Sequence, residues 1–295
     1  MLGYSRQALY KKTNSRVEQL IEAELVLQEV QKIRSKHRRV GTKKLHRMLQ
    51  PFLEEHSIKI GRDGLFDLLR EFGMLVKPLR RNHYSTDSYH RFYKYPNLIK
   101  QWQPSAPNQL WVSDITYIEV NRAFMYLSVI TDAWSRKIVG WHLSDDYSVQ
   151  GPVKALKMAL ADNKNIKDIV HHSDRGVQYC SKEYVAILKN RDVKISMTEN
   201  GDPYENALAE RVNGIIKGEY MEKYYRDNQT ANRDVRNGIG LYNKERLHLS
   251  IGMMTPEHVH QTAVAAKNLW KKQQSGNSIN SKGNNTHKKV NAISP

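Results

Sequence analysis

Three runs of β-branched and aromatic residues follow one another in the middle of this chain, and helix-like segments then alternate with short strand-like ones. The runs span residues 110–120, 124–131 and 137–143. The later segments are a helix at 149–161, a strand at 168–172, a helix at 182–188 and a strand at 193–197. The gaps between the first three runs are short enough for hairpin turns. This order predicts an α/β fold in which helices flank a mixed five-stranded sheet.

The first hundred residues have helical periodicity instead. Ser15 and Glu18 have the spacing of a capping box at the start of a first helix. A second helix is predicted to begin near Thr42, with Pro51 as a kink or break. A third helix is predicted to end at Gly73, a residue that suits a helix C-terminus. This part of the chain is therefore expected to be all-α.

The second and third helices, with the brief turn between them, suggest a helix-turn-helix at about residues 41–74. Arg62 and Arg70 lie off the apolar stripe of the third helix, where they would contact DNA. A small helical bundle with a solvated basic surface explains the same pattern equally well.

Positive charge is concentrated at the two ends of the chain. The 295 residues include 47 Lys and Arg and 30 Asp and Glu, a formal net charge of +17. Residues 1–105 carry +11, residues 106–270 carry +1, and residues 271–295 carry +5. Such a distribution favours a polyphosphate partner such as DNA over anionic lipid or acidic proteins.

Other classes of protein are disfavoured by what the sequence lacks. No apolar run approaches the roughly 18 residues of a spanning helix, and the start has no signal-peptide core. The single cysteine, Cys180, excludes an internal disulfide and any zinc site built on several cysteines of this chain. These features predict a cytoplasmic protein without a membrane partner.

Changes in composition divide the chain into five regions. The predicted regions are a helical DNA-binding region at 1–74, a basic and aromatic linker at 75–108, a catalytic core at 109–225, C-terminal helices at 226–272 and a disordered tail at 273–295. The linker alternates basic with aromatic side chains, which suits either a segment that tracks phosphates or a simple surface connector.

Two aspartates occupy unusual places in the predicted sheet. Asp114 lies inside an apolar strand, where an unpaired charge is costly to bury. Asp174 directly follows a short strand, at the end where open α/β sheets bind ligands. Taken separately, each has an ordinary explanation, as an edge-strand residue and as a turn former.

A polar stripe on the following helix adds a third carboxylate. At 100° per residue, the stripe consists of Asn206, Glu210, Asn213 and Lys217, and the apolar residues fall on the other side. In most helices such a stripe is only a solvated surface.

Three segments together resemble the catalytic blocks of DDE insertion-sequence transposases of the OrfB type, in the retroviral-integrase superfamily. They are Trp111-Val112-Ser113-Asp114-Ile115-Thr116, His172-Ser173-Asp174-Arg175-Gly176-Val177-Gln178-Tyr179 and Asn206-Ala207-Leu208-Ala209-Glu210. The spacing also agrees, since 35 residues separate Asp174 from Glu210. Lys217 matches a basic residue of that family, and residues 41–75 and 242–257 resemble its flanking regions. Glu205 departs from the pattern, because members often have Asp there.

The resemblance implies an RNase H-like core and a polynucleotidyl transferase. Asp114, Asp174 and Glu210 would be both the catalytic residues and the ligands of two Mg²⁺ ions, with Mn²⁺ as a possible substitute. Lys217 would contact a phosphate, and Asn206 and Asn213 would orient water or DNA. The implied reaction is strand cleavage at the element's ends, followed by strand transfer from the freed 3′-hydroxyl.

The resemblance also implies the partners. They are the DNA of the element's ends and target, further copies of this chain on that DNA, and a product of an upstream reading frame. A bacterial, nucleoid-associated location would follow. Two alternatives remain at this point: a helix-turn-helix regulator without catalysis, and an RNase H-like nuclease that cleaves without joining strands.

Overall fold

A computed structural model describes residues 6–77, 90–100, 102–163, 167–199 and 206–265, with side chains in the first helix from residue 16 onward. The helices are α1 Arg6–Lys36, α2 Thr42–Glu55, α3 Arg62–Glu71, α4 Gln150–Ala161, α5 Val177–Cys180, α6 Lys182–Lys189, α7 Ala207–Ile215, α8 Asn228–Lys244 and α9 Pro256–Thr262. The strands are β1 Leu110–Val120, β2 Ala123–Asp132, β3 Ile138–Ser144, β4 Val170–Ser173 and β5 Lys194–Met197. Glu205 and the tail 273–295 lie outside the described residues.

The strands form the predicted mixed sheet in the order β3-β2-β1-β4-β5. Strands β1, β2 and β3 are antiparallel neighbours, whereas β1, β4 and β5 run parallel. The first hairpin turns at Asn121 and Arg122, whose φ angles of 48° and 62° suit a tight two-residue turn. The second turn is held by Asp132, whose Oδ1 accepts a hydrogen bond of 2.7 Å from the Ser135 backbone. Both predicted turns are confirmed.

Each face of the sheet is covered by its own apolar core. On one face α4, α5 and α6 pack around buried side chains that include Trp111, Leu156 and Tyr184. On the other face, α7 and α8 cover a second set that includes Leu127, Val212 and Tyr242. The sheet is therefore buried on both sides, and solvent reaches it mainly at its edges and strand ends.

The helix that carries Glu210 is shorter than predicted. The sequence predicts one helix over residues 204–225, but α7 gives way at Ile216 to a π-helical turn that ends at Tyr220. Beyond it the backbone pairs with the β1–β2 hairpin: the Tyr225 amide donates to the Glu119 carbonyl at 3.0 Å. The hairpin hydrogen bonds are made only beyond Tyr220, so the prediction of a helix was wrong after that residue, and its last turn is π-helical instead of α-helical.

The N-terminal helices pack around their own core, which includes Val30, Leu45, Leu49, Leu65 and Leu69. Helix α1 already begins at Arg6, so the predicted cap at Ser15 was wrong, because the helix extends through it. Helix α2 runs through Pro51, so the predicted break there was wrong too.

The end of α3 is as predicted. Gly73 has a φ of 64°, and the Met74 amide donates to the Leu69 carbonyl at 2.7 Å, as in a Schellman motif.

The helical region contacts the sheet region through the turn after α1. His37 is buried, and its Nδ1 lies 3.1 Å from the Tyr220 hydroxyl in the π-helical turn. Lys36 pairs with Glu245 at 3.4 Å, and Arg38 pairs with Glu222. The helices described include none with the length and apolar character needed to cross a membrane.

Candidate active site

The parallel pairing of β1 with β4 brings the two aspartates close together. Val112 lies opposite His172; Asp114 comes two residues later within β1, and Asp174 is the residue directly after β4. Both carboxylates are half-buried and line one small cavity, together with Tyr147, Gln178 and Tyr179. The structure thus brings together two residues that are 60 positions apart in the sequence.

The environment of Asp114 strongly disfavours its charged form. Burial and then the negative charge of Asp174 raise the pKa of Asp114 to about 7, and Glu210 adds a smaller contribution in the same direction. A hydrogen bond from Asn213 opposes this rise in pKa. Like charges held close together at a partly buried site are typical of groups that bind a cation.

The loop after β4 holds Asp174 in place. The Gly176 amide donates a hydrogen bond of 3.0 Å to Asp174 Oδ1, and a Cβ at position 176 would lie only 3.0 Å from that oxygen. Gln178 is buried and donates to the Tyr147 carbonyl at 3.0 Å. The glycine therefore allows the loop to fold tightly against the carboxylate.

Two amides of the predicted polar stripe fix α7 against β1. Asn213 Nδ2 donates to Asp114 Oδ2 at 2.9 Å, and Asn206 Nδ2 donates to the Ser113 carbonyl at 3.1 Å. Both asparagines are buried, and Glu210 lies between them with an exposed side chain. The stripe faces β1 at its asparagines, so the solvated-surface interpretation of the stripe was wrong for these two residues.

The three carboxylates form a donor set that suits a hard divalent cation. Within the described ranges, no three His, Cys, Asp or Glu side chains lie close enough together to hold a metal ion in the present arrangement. Asp114 and Asp174 nevertheless share a cavity, and Glu210 is near enough for its charge to act on Asp114. Carboxylate oxygens are the ligands that Mg²⁺ and Mn²⁺ prefer, and a cation would offset the mutual repulsion.

Lys217 lies in the π-helical turn, over an aromatic ring of β1. Its Nζ is 4.0 Å from the ring centroid of Tyr117, and partial burial lowers the pKa of Lys217. No carboxylate pairs with it among the residues that the structure describes. Tyr117 in turn packs edge-on against Phe124, with ring centroids 5.1 Å apart. This ammonium group is therefore held in place without an acidic neighbour, as a phosphate contact requires.

The remaining predicted DNA contacts lie apart from the carboxylates, in the helical region. Arg62 Nε donates to Asp63 at 2.8 Å, and Arg70 Nη1 donates to Asp67 at 2.8 Å. Both arginines are exposed on α3, as the position of the apolar stripe predicts.

The histidines that precede Asp174 have structural partners. His171 Nε2 lies 2.9 Å from the Tyr184 hydroxyl, and His172 Nδ1 lies 2.8 Å from Ser196 Oγ. Both are buried. Cys180 is also buried, and burial raises the pKa of its thiol to about 11, which leaves it a weak nucleophile.

Several neighbours of the carboxylates were not singled out from the sequence. Gln178 and Tyr179 belong to the motif around Asp174, which offered a signal for them, and Ser113 Oγ donates to the Tyr179 hydroxyl at 3.0 Å. The sequence contains no local signal for the other two neighbours, because only folding brings Tyr147 near Asp174 and Tyr117 near Lys217.

Comparison with known proteins shows the family of the chain. Two models described as Integrase core domain match the chain, one over residues 104–203 and one over residues 191–256. The insertion element IS600 uncharacterized 31 kDa protein of Shigella sonnei is 35% identical over 225 residues, which cover 74% of this chain and 83% of that protein. Transposase InsF for insertion sequence IS3A of Escherichia coli (strain K12) is 35% identical over 202 residues, covering 67% and 69% of the two chains.

Solved structures of low sequence identity are also similar. One is the HTLV-2 integrase catalytic core domain in complex with magnesium (dimeric form), with 18% identity and a TM-score of 0.42. It matches 52% of this chain and 97% of that one.

The sheet order and the family matches define a polynucleotidyl transferase with an integrase core and an RNase H-like fold, as predicted. More particularly, the chain belongs to the family of insertion-sequence transposases, with relatives that it matches over most of its length.

Proposed function

We propose that this chain cleaves DNA strands at the ends of an insertion sequence and joins the freed ends to target DNA, with Asp114, Asp174 and Glu210 as its catalytic residues. The observation that carries the proposal is that Asp114 of β1 and Asp174, directly after the parallel strand β4, line the same cavity. Helix α7 adds Glu210 to this pair, because Asn213 ties the helix to Asp114.

The three carboxylates would hold two Mg²⁺ ions, or Mn²⁺ in their place. When bound, such ions supply positive charge that activates an attacking oxygen and stabilises a leaving one during displacement at phosphorus. Asn213 would keep Asp114 directed at the ions, and Gly176 would do the same for Asp174 through its amide. These contacts preorganise the ligands before DNA arrives.

The reaction balances without a covalent enzyme intermediate. In the first step water attacks the phosphorus, the bond from phosphorus to the 3′-oxygen breaks, and a 3′-hydroxyl and a 5′-phosphate result. In the second step that hydroxyl attacks a phosphodiester of the target, joins to it and releases a new 3′-hydroxyl. Lys217 would bind a phosphate of the strand, because its ammonium group lies in the π-helical turn that continues the helix of Glu210 and has no acidic partner among the described residues.

The helical region would add contacts to DNA. The α2–α3 pair has the length and short turn of a helix-turn-helix, and Arg62 and Arg70 are exposed on its second helix. We propose further that several copies assemble on DNA in the cytoplasm, at the nucleoid, and that an upstream reading frame supplies an additional segment. A gene without any overlapping upstream frame would contradict the last point.

The substitution Asp174→Asn separates the proposal from its alternatives. A transposase variant keeps its affinity for DNA from the gene's flanks but loses Mg²⁺-dependent cleavage and joining. If the protein were a regulator without catalysis, the unaltered protein would neither cleave nor join DNA. A nuclease would cleave the labelled duplex but would never transfer the freed 3′-end to a second DNA, which a gel of the joined products detects.

A further inference from the structure

Exposed aromatic side chains lie on one face of the sheet, toward the β1–β2 hairpin. Helix α4 covers this face of β2 as far as Ser128, which is buried and would lie 3.2 Å from a Cβ on Gly151 of α4. Tyr126 and Phe124 follow on the same side of β2, since alternate residues of a strand share a face. Phe124 is 51% exposed, so the face is open to solvent beyond the end of α4.

The aromatic side chains extend to the carboxylate site. Tyr147 is 47% exposed, and its ring centroid lies 4.9 Å from that of Tyr126. Tyr147 also lines the cavity that Asp114 and Asp174 share. Phe124, Tyr126 and Tyr147 therefore form an aromatic row about 12 Å long, in which two residues of a strand contribute about 7 Å and the last ring contact the rest.

A cation lies beside this aromatic row. Tyr117 is opposite Tyr126 across the two strands, and its ring centroid is 5.1 Å from that of Phe124. Lys217 Nζ lies over the ring of Tyr117, so Tyr117 holds the ammonium group next to the row. Proteins that bind single strands combine the same two features, aromatic rings on which bases stack and cations that contact the backbone.

We propose that the aromatic row stacks the bases of an unpaired DNA end next to the reacting phosphate. Contiguous exposed apolar surface is typical of a binding site, and two or three bases stack in this way on the sheet faces of other nucleic-acid-binding proteins. Because Tyr147 lines the carboxylate cavity, a base on its ring would belong to a nucleotide close to the cleaved bond. A paired duplex gains nothing from the row, since its bases already stack on one another. This inference rests on the proposed function, because it takes DNA to be the substrate.

Equilibrium binding to overhangs with and without bases tests the proposal. The full chain in EDTA is titrated with a fluorescein-labelled duplex that ends in three unpaired adenines or in three abasic nucleotides, at its 3′ or its 5′ end. The two overhangs carry the same phosphates, so the ratio of their affinities measures contacts to bases alone. We expect the adenine overhang of at least one polarity to bind about tenfold more tightly than the abasic one, the effect of stacking one base on an aromatic ring.

Substitutions at both ends of the aromatic row should reduce this ratio. Phe124→Leu and Tyr147→Leu keep apolar bulk but lose the ring, and each should lower the ratio to about threefold or less. Phe124→Tyr and Tyr147→Phe keep the ring and should retain the full ratio. Phe72→Leu is the matched control, because Phe72 is 54% exposed but lies at the end of α3, and it should not change the ratio. Thermal unfolding of each variant separates lost base contacts from a less stable hairpin, which aromatic pairs also support.

Equal affinity for the adenine and abasic overhangs at both polarities would overturn the proposal, as would a ratio that Phe124→Leu and Tyr147→Leu both retain. If these two variants instead reduce the sedimentation coefficient of the free chain and leave the ratio unchanged, the row joins copies of the chain, which also overturns the proposal. The proposed function fails by a different result, the absence of Mg²⁺-dependent cleavage. Because the binding assay contains no divalent ion, the two outcomes are independent.

Discussion

Asn213 donates a hydrogen bond of 2.9 Å to Asp114 and so joins helix α7 to the central strand of the sheet. The same bond lowers the pKa of Asp114, which burial and Asp174 raise. One amide therefore has two effects: it orients the aspartate, and it favours the charged form that a divalent cation requires.

We expect Asn213→Ala to lower the rate of Mg²⁺-dependent cleavage by about 10- to 100-fold, since Asp114 loses its orienting donor. DNA affinity in EDTA should change little. Asn232→Ala is the matched control, because Asn232 is an exposed helical asparagine on α8 whose amide contacts only its own helix in the described structure. Single-turnover cleavage of a labelled duplex measures the effect, and equal rates for the two variants would contradict this role of Asn213.

The elements that could be predicted from the sequence are those whose signals are local. Strand β1 and helix α6 begin and end within a residue of their predicted limits, 110–120 and 182–188, because the residue pattern of each segment is a local signal. The one-turn helix α5 was not predicted, and the π-helical turn after Ile215 was not either. After the π-helical turn, Tyr225 forms a bridge with Val120 of the β1–β2 hairpin, so a distant part of the chain ends this helix.

The residues of the candidate site also differ in whether the sequence contains a local signal for them. The predictions for Asp114, Asp174 and Glu210 depend on a motif and its spacing, to which the structure adds a cavity shared by the first two. Tyr117 and Tyr147 have no such motif, and their relation to Lys217 and Asp174 depends on how strands and helices pack. Side chains whose role depends on tertiary contacts alone are not visible in the sequence.

Substitution of glycine by alanine should have opposite effects on the stability of the fold at two positions. A Cβ on Gly140 would lie 2.2 Å from the Ala155 carbonyl oxygen, so Gly140→Ala forces α4 away from the sheet and should destabilise the fold by about 1–3 kcal/mol. Gly214 is exposed in α7 with no described atom near its added Cβ, so Gly214→Ala should stabilise the fold by about 0.5–1 kcal/mol. Urea unfolding measures both, and a Gly140→Ala protein as stable as the unaltered one would show that α4 packs less closely.

Lys44 should make the stability of the protein depend on pH. Burial, with Arg246 as a smaller cause, lowers the pKa of Lys44 to about 8 from the usual 10.5. Below pH 8 the folded state carries the unfavourable charge. As the pH rises from 8 to 10.5 the folded protein releases this proton while the unfolded chain retains it, so the free energy of unfolding rises.

Lys44→Met should therefore stabilise the protein at pH 7 by about 1–2 kcal/mol, a value reduced for the partial exposure of the side chain. The difference from the unaltered protein should shrink as the pH rises above 8. Lys59→Met, at an exposed position of the same region, is the matched control. Unfolding curves at pH 7, 8, 9 and 10 measure the free energy of unfolding of each protein. A difference between Lys44→Met and the unaltered protein that stays constant with pH would contradict the prediction.

Tyr117 should support the phosphate contact that we propose for Lys217. Removal of the ring in Tyr117→Leu leaves the ammonium group without the face that holds it at 4.0 Å, whereas Tyr117→Phe keeps that face. We expect Lys217→Gln to weaken duplex binding and to lower the slope of log affinity against log salt by about 0.9, the value for one lost phosphate contact. Tyr117→Leu should lose part of that affinity and Tyr117→Phe almost none.

In the Lys217→Gln background Tyr117→Leu should have no further effect on DNA affinity, because the two residues act through one contact. Additive losses in this double-mutant cycle, measured by fluorescence anisotropy at several salt concentrations, would show instead that Tyr117 contacts DNA independently of Lys217.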